Sequence, residues 1–205
     1  MEPIVLVEPV LQPVVLSEVK AHCRIDVTDD EQDALLELYI SAARDYIEWA
    51  TKRTFHIKTL RTTLDGWPCS GVIELPYATP LVAVSAVQYR SSEEAWATWD
   101  SSNYFTLEGS KKQWGRIVLK SGASFPSTTL SPVEAIRVDY TAGIAVASPL
   151  VEVEDSVKLA NLELIARMFE IREAEVITDR ASIEAVAMKY GLDSIIERLK
   201  ARHEF

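Results

Sequence analysis

The sequence predicts an α+β fold, a small α-helical bundle with an antiparallel β region inserted into it. Three observations predict it. Helical periodicity runs from about residue 30 to 51 and returns after Pro149. The stretch between them alternates in the manner of strands and is cut by Pro, Gly, Ser and Asn into short runs. The returning helix carries an apolar face broad enough to need a partner, and the first long helix is the partner available. The organisation that follows is an extended arm at 1–16, a helical domain from 17–56 and 150–205, and an inserted β region at 57–149.

The opening "MEPIVLVEPVLQPVVL" is apolar, but Glu2 and Glu8 with Pro3, Pro9 and Pro13 break both a signal peptide and a membrane helix. It reads as an extended arm that packs along its own domain or adds a strand to a neighbouring copy, self-packing being the favoured reading. Ser17 is placed to cap a short helix over Glu18–Cys23 that bears Glu18, Lys20, His22, Arg24 and Asp26 around it. Thr28 and Glu31 have capping-box spacing, so a second helix should start near Asp29 and run to Thr51. On it Leu36, Tyr39, Ile40, Ala43, Tyr46, Ile47 and Ala50 recur at three- and four-residue steps and form one face. Glu37, Asp45, Glu48 and Lys52 fall on the other.

After Arg53 the period shortens. Ile57–Leu64 alternates, the turn "DGWPCSG" follows at Asp65–Gly71, and short strands are predicted at Val72–Leu75, Val82–Arg90, Trp96–Trp99, Tyr104–Leu107, Arg116–Leu119 and Ala135–Tyr140. Beyond Pro149, Val157, Ala160, Leu164, Met168 and Ile171 make one helical stripe, widened by Leu159, Leu162, Ile165 and Phe169. Two further helices, Ala181–Tyr190 and Leu192–Arg202, are separated by Gly191 as a C-cap.

Composition bounds the function. A chain of 205 residues with 48% hydrophobic and 25% charged positions can bury a core. A net charge of −10 repels phosphates over most of the surface and disfavours a protein that grips nucleic acid. An acidic wall does let a polyanion slide past. Cys23 and Cys69 do not make a disulfide framework, and a reduced intracellular setting fits them. His22, His56 and His203 are scattered without metal-ligand spacing. The acidic run Asp26, Asp29, Asp30, Glu31 and Asp33 lacks the alternating ligands and central glycine of a calcium loop and reads as charge at a helix N-terminus. The seven glycines lie singly, so no phosphate loop is present, and no serine sits in a nucleophile elbow. Glu152 with Glu154 and Glu173 with Glu175 read as solvated charge. The sequence therefore predicts no enzyme activity, no cofactor and no metal.

The order of these elements, with the phrase "LSEVKAHCRIDVTDDEQDALLELYISAARDYIEWATKRTF" from Leu16 onward, resembles the head-tail connector proteins of tailed phages. "TLDGWP" at Thr63–Pro68, "IELPYATPLVAVSAVQY" at Ile73–Tyr89 and "VDYTAGI" at Val138–Ile144 are similar to that family's strands and turns, especially in its longer members, which include gene-transfer-agent adaptors. The resemblance implies a structural adaptor of the virion neck, made in the host bacterial cytoplasm. It would form a ring of identical subunits, a dodecamer in the particle, under the portal protein. The ring would extend the DNA channel, pass DNA without sequence-specific binding, and dock the stopper or tail-completion protein, with no membrane involved.

Within that reading the C-terminal segment, with Ile183, Val186, Tyr190, Ile195, Ile196 and Leu199 for burial and Arg198, Lys200 and Arg202 for anchoring, is the portal-docking candidate. Covering the bundle's own core is the competing role. Trp67, Trp96, Trp99, Trp114 and Tyr104 are candidates for subunit contacts or for a β core. Glu152, Glu154, Asp155, Glu170, Glu173 and Glu175 are the channel-lining candidates. The alternative reading is an aromatic-rich β module of a virion that binds carbohydrate or protein.

Overall fold

In the computed structural model, residues 2–91, 96–109, 113–144, 154–170 and 192–200 are described. The fold is α+β. The chain divides into two units, one holding residues 2–10 and 52–144 and the other 11–51, 154–170 and 192–200 of those described.

The β unit has eight strands among the described residues: β1 (Ile4–Val7), β2 (Lys58–Leu64), β3 (Val72–Glu74), β4 (Leu81–Arg90), β5 (Trp96–Thr98), β6 (Tyr104–Leu107), β7 (Arg116–Leu119) and β8 (Ile136–Ala142). They form a five-stranded sheet in the order β1-β2-β8-β4-β5 and a three-stranded sheet in the order β3-β7-β6, with every named ladder antiparallel. Alternation decides which face is wet. Leu60 on β2, Ile136, Val138, Tyr140 and Ala142 on β8, and Val87 on β4 are buried together with Ile73, Leu75 and Ile117. The intervening residues of β2 and β8 are polar and form the outer face there. Arg61 lies opposite Asp139 and bonds it through two parallel contacts of 2.6 and 2.7 Å, while Arg137 lies opposite Gln88 and donates to its side-chain oxygen at 2.7 Å. Such cross-strand pairs hold the register, because a slip of one residue would carry Tyr140 and Val138 into water.

Gly143 closes β8 at φ +109, and a Cβ there would meet the His56 carbonyl oxygen at 2.3 Å. Only glycine lets these backbones approach so closely. β1 was not foreseen as a strand, because Pro3 and Pro9 bracket it and its four apolar residues do not alternate. It pairs with β2 of the same chain, in agreement with a self-packed arm.

The helical unit consists of α1 (Leu16–His22), α2 (Asp33–Thr51), α3 (Asp155–Glu170) and α4 (residues 192–199). α3 packs on α2, and Val14, Val19, Leu36, Ile40, Ala43 and Ile165 form the shared core with α1. Two helix starts differ from expectation. Ser17 lies inside α1, whose first turn is instead satisfied by the Glu18 carboxylate accepting from the Val15 N–H at 2.9 Å. α2 begins four residues later than Asp29, because the Thr28 hydroxyl donates to Asp26 at 2.7 Å and is spent in a turn instead of capping a helix.

The faces of α2 also need correction. Tyr46, assigned to the buried face, is 45% exposed, and Glu48, assigned to the wet face, is buried, as is Arg44. Arg44 reaches Asp45 at 2.7 Å and the Gln12 side chain at 3.3 Å, so its guanidinium is satisfied inside the unit. The predicted Ala181–Tyr190 helix, its Gly191 cap and Ile171 lie outside the described residues.

Candidate functional site

The turn between α1 and α2 gathers most of the acidic run that stood out in the sequence. Asp26 accepts from the Thr28 backbone at 2.9 Å as well as from its hydroxyl, and those two bonds from Thr28 hold the Asp26 carboxyl below the usual range. Asp29 accepts from the Glu31 N–H at 3.2 Å. Lys20, almost fully buried, donates to the Asp29 and Val27 carbonyl oxygens at 2.7 and 3.3 Å and pairs with Asp33 at 2.6 Å. These carboxylates are turn-formers and a counter-ion. Among the described residues no three His, Cys, Asp or Glu side chains converge to hold a metal.

Near the ends of α1 and α3 a cavity of about 300 Å³ is lined by His22, Cys23, Arg24, Ala166, Phe169 and Glu170. Burial, and then the nearby Glu170 carboxylate, push the Cys23 thiol up from its ordinary value. Cys69 is exposed on the β unit.

The five aromatic candidates separate by environment. Trp67 stacks on Phe125 with ring centroids 4.6 Å apart and planes 10° from parallel, and it also meets Trp99 at 5.3 Å and Tyr89 at 5.9 Å. Trp99 meets Tyr104 at 4.9 Å, and both are buried. Ring pairs of this kind add about 0.5–1.5 kcal/mol each beyond their burial. The rings of Trp67 and Trp99 are thus engaged with one another and with three neighbours. Trp114 is half-buried and donates its indole N–H to the Lys52 carbonyl oxygen at 2.9 Å. Trp96 stands apart on β5, 37% exposed, with the Arg137 guanidinium 4.1 Å and the Arg90 guanidinium 5.5 Å from its ring centroid.

Lys52 follows α2 at φ +56 and anchors the start of the β unit. Its ammonium bonds the Tyr77 hydroxyl at 3.0 Å and Glu2 at 3.4 Å. Burial opposes the charge, but the Tyr77 and Glu2 contacts together leave the Lys52 ammonium raised above its usual range.

Of the C-terminal candidates, Ile196 and Leu199 are buried, Ile195 is half-buried, and Arg198 is exposed. Lys200 is half-buried and paired with Glu197. Asp155 and Glu170 are exposed at the two ends of α3, and Glu154 is half-buried just before it. Ile183, Val186, Tyr190, Arg202, Glu152, Glu173, Glu175 and His203 lie outside the described residues. Sequence reasoning missed two surfaces. One is the outer side of α2, where Leu38, Tyr46 and Trp49 are 62, 45 and 52% exposed. Their four- and three-residue spacing (38, 42, 46, 49) is visible in the sequence, but it merges there with the buried face beside it. The other is β1, whose four apolar residues are all exposed.

Among the described residues, the outer side of α2 and β1 are two exposed apolar surfaces unusual for an isolated chain. Residues 13–113, about half of the chain and including the whole α1–turn–α2 segment, match the family described as phage gp6-like head-tail connector protein. The chain belongs to that connector family. Solved structures agree in fold. A chain in the neck of an empty GTA particle computed with C6 symmetry is 21% identical with a TM-score of 0.77, covering 100% of this chain and 98% of that one. A chain in the virion of a native gene transfer agent particle gives 20% and 0.72, covering 98% and 97%. One in the neck of a native GTA particle computed with C12 symmetry gives 21% and 0.70, covering 100% and 98%. No curated protein matches the sequence. The connector's role is structural. Its candidate sites are accordingly surfaces, and no helix among its described residues is long and apolar enough to cross a membrane.

Proposed function

We propose that this connector is the adaptor subunit of a phage-like particle's neck, where identical copies form a ring beneath the portal protein, extend the DNA channel and receive the stopper or tail-completion protein. The observation that carries this reading is the end-to-end likeness to chains from particle necks of C6 and C12 symmetry, joined to the family match. Twelve copies is the ring size we assign. The net charge of −10 supports a conduit through which DNA slides without being gripped. Asp155 and Glu170, exposed on α3, are the described residues we assign to its wall, with Glu154 beside them.

For portal docking we retain the C-terminal segment, with the roles divided by burial. Ile196 and Leu199 hold α4 in place, and Arg198 faces the partner. For subunit contacts we retain Trp96 and exclude Trp99 and Tyr104, which are inside the β unit. Removing the gene from the producing genome tests the assignment. Adaptor function predicts DNA-filled or emptied heads that lack tails, with portals in place; tailed, infectious or transducing particles made without this chain would contradict it.

A further inference from the structure

An antiparallel sheet with five strands has two edges that run in the same direction. In the order β1-β2-β8-β4-β5 each strand reverses the one before, so β1 and β5 point the same way from opposite sides of the sheet. Both belong to the β unit. Ile4, Val5, Leu6 and Val7 of β1 are 54, 40, 41 and 57% exposed, so the strand is apolar and wet on both faces. Trp96, Ala97 and Thr98 of β5 are exposed as well. Neither strand carries a charged residue, the usual protection of an edge. What limits β1 is length: Pro3 and Pro9 bracket it, and a register shift lies between Val5 and Val7.

The shared direction selects the occupant. A β1 edge meeting β1 of a second copy across a two-fold axis gives an antiparallel ladder, and the assembly stops at two. A β1 edge meeting β5 of a copy related by rotation gives a parallel ladder. It uses each edge once per subunit and leaves the next subunit in the same state. That is the heterologous contact from which closed rings are built.

We propose that β1 of each subunit pairs in parallel with β5 of its neighbour, so that the five-stranded sheet continues from copy to copy around the ring. The proposal rests on the ring reading given above. The aliphatic side chains of β1 would gather against Trp96, whose indole is already fixed from within its own subunit by Arg137 at 4.1 Å and Arg90 at 5.5 Å. Three or four residues per ladder make a weak contact for an isolated pair of chains and an adequate one when a partner already holds the copies side by side. The chain should therefore stay monomeric until it meets the portal.

The test is site-directed cross-linking of full-length chain bound to its cognate portal protein. In a Cys23→Ser, Cys69→Ser background, Val5→Cys and Leu6→Cys are each combined with Ala97→Cys and oxidised, and the products are separated under denaturing conditions. The expected result is a ladder of multimers from at least one double variant and none from the corresponding single variants. Rings visible by electron microscopy that yield no such ladder from either pair would overturn the edge pairing while leaving the connector reading intact. Dimers from Leu6→Cys alone would overturn it in favour of a two-fold contact. A portal that acquires no ring with the parent chain would overturn both. As a second reading, Leu6→Lys, which puts a charge on an exposed edge and leaves the core untouched, should abolish ring formation without changing the circular dichroism spectrum.

Discussion

The Lys20 ammonium lies 2.6 Å from the Asp33 carboxylate, joining the middle of α1 to the first residue of α2. It also donates to the carbonyl oxygens of Val27 and Asp29, so one buried cation closes the whole turn. Cys23 and Ile25 pack the start of the turn against the helical core, but beyond them Val27 is 66% exposed, so the second half of the turn is held by polar contacts in which this cation takes part. Lys20→Met, of similar length and no charge, should destabilise the chain by about 2–4 kcal/mol, since it leaves two carbonyl groups and a partly buried carboxylate without their donor. Urea unfolding followed by circular dichroism measures this. A loss under 0.5 kcal/mol would show that water replaces the ammonium.

The aromatic cluster of Trp67, Trp99, Tyr104 and Phe125 is a stability element. Trp99→Ala should cost about 3–5 kcal/mol, the range for deleting a large buried aromatic side chain. A glycan array probed with the parent chain should give no signal that Trp99→Ala removes. Glycan binding lost in a folded Trp99 variant would restore the carbohydrate-module reading.

Tyr140 donates to the Pro76 carbonyl oxygen at 2.5 Å from a fully buried position, and burial pushes its hydroxyl far above the ordinary value of 10.0. The folded chain keeps this proton where the unfolded chain releases it. Stability contributed by Tyr140 is thus fully present below pH 10 and declines above it, by about 1.4 kcal/mol per pH unit from this group. Tyr77 and Tyr104 are raised in the same direction, also mainly by burial, and add to the slope. Tyr140→Phe should lower stability at pH 7 by about 1–3 kcal/mol through the orphaned carbonyl and flatten the alkaline limb. An unchanged slope in a pH series of thermal unfolding would place the alkaline loss elsewhere.

Much of this fold was legible because period and punctuation agree. Tyr104–Leu107 and Arg116–Leu119 are strands with the predicted bounds, since turn residues mark both ends of each run. α3 was visible from the stripe holding Val157 and Ala160, both buried, although Ile165, which only widened that stripe, is buried while Leu164 and Met168 on it are half-buried. The helix starts were not, because Ser17, Thr28 and the aspartates all have capping chemistry, and a local acceptor such as Asp26 can divert the Thr28 hydroxyl into a turn as readily as a helix can use it for a cap. Tyr46 and Glu48 show the same limit on α2. The helix has two apolar stripes, so hydrophobicity alone cannot say which faces inward. β1 escaped because strands are read from alternation, and an edge strand that is apolar on both sides has none. The interface candidates were chosen by residue type, while burial separated Trp96 from Trp99 and Tyr104, and burial follows from register.

Arg198 is exposed on α4 beside the buried Ile196 and Leu199. Arg198→Glu should leave stability within about 0.5 kcal/mol of the parent. It should weaken portal binding by about fivefold at low salt, roughly 1 kcal/mol, with the difference shrinking as ionic strength rises. Surface plasmon resonance across a salt series checks this. Unaltered binding would move the docking site away from α4.

The proposed function turns on ring formation by this chain on a portal. Electron microscopy of the purified chain mixed with the portal protein of the same genome tests it most directly. The expected result is an added symmetric layer at the narrow end of the portal, with one copy for each portal subunit. A portal that stays bare at saturating chain concentration would contradict it.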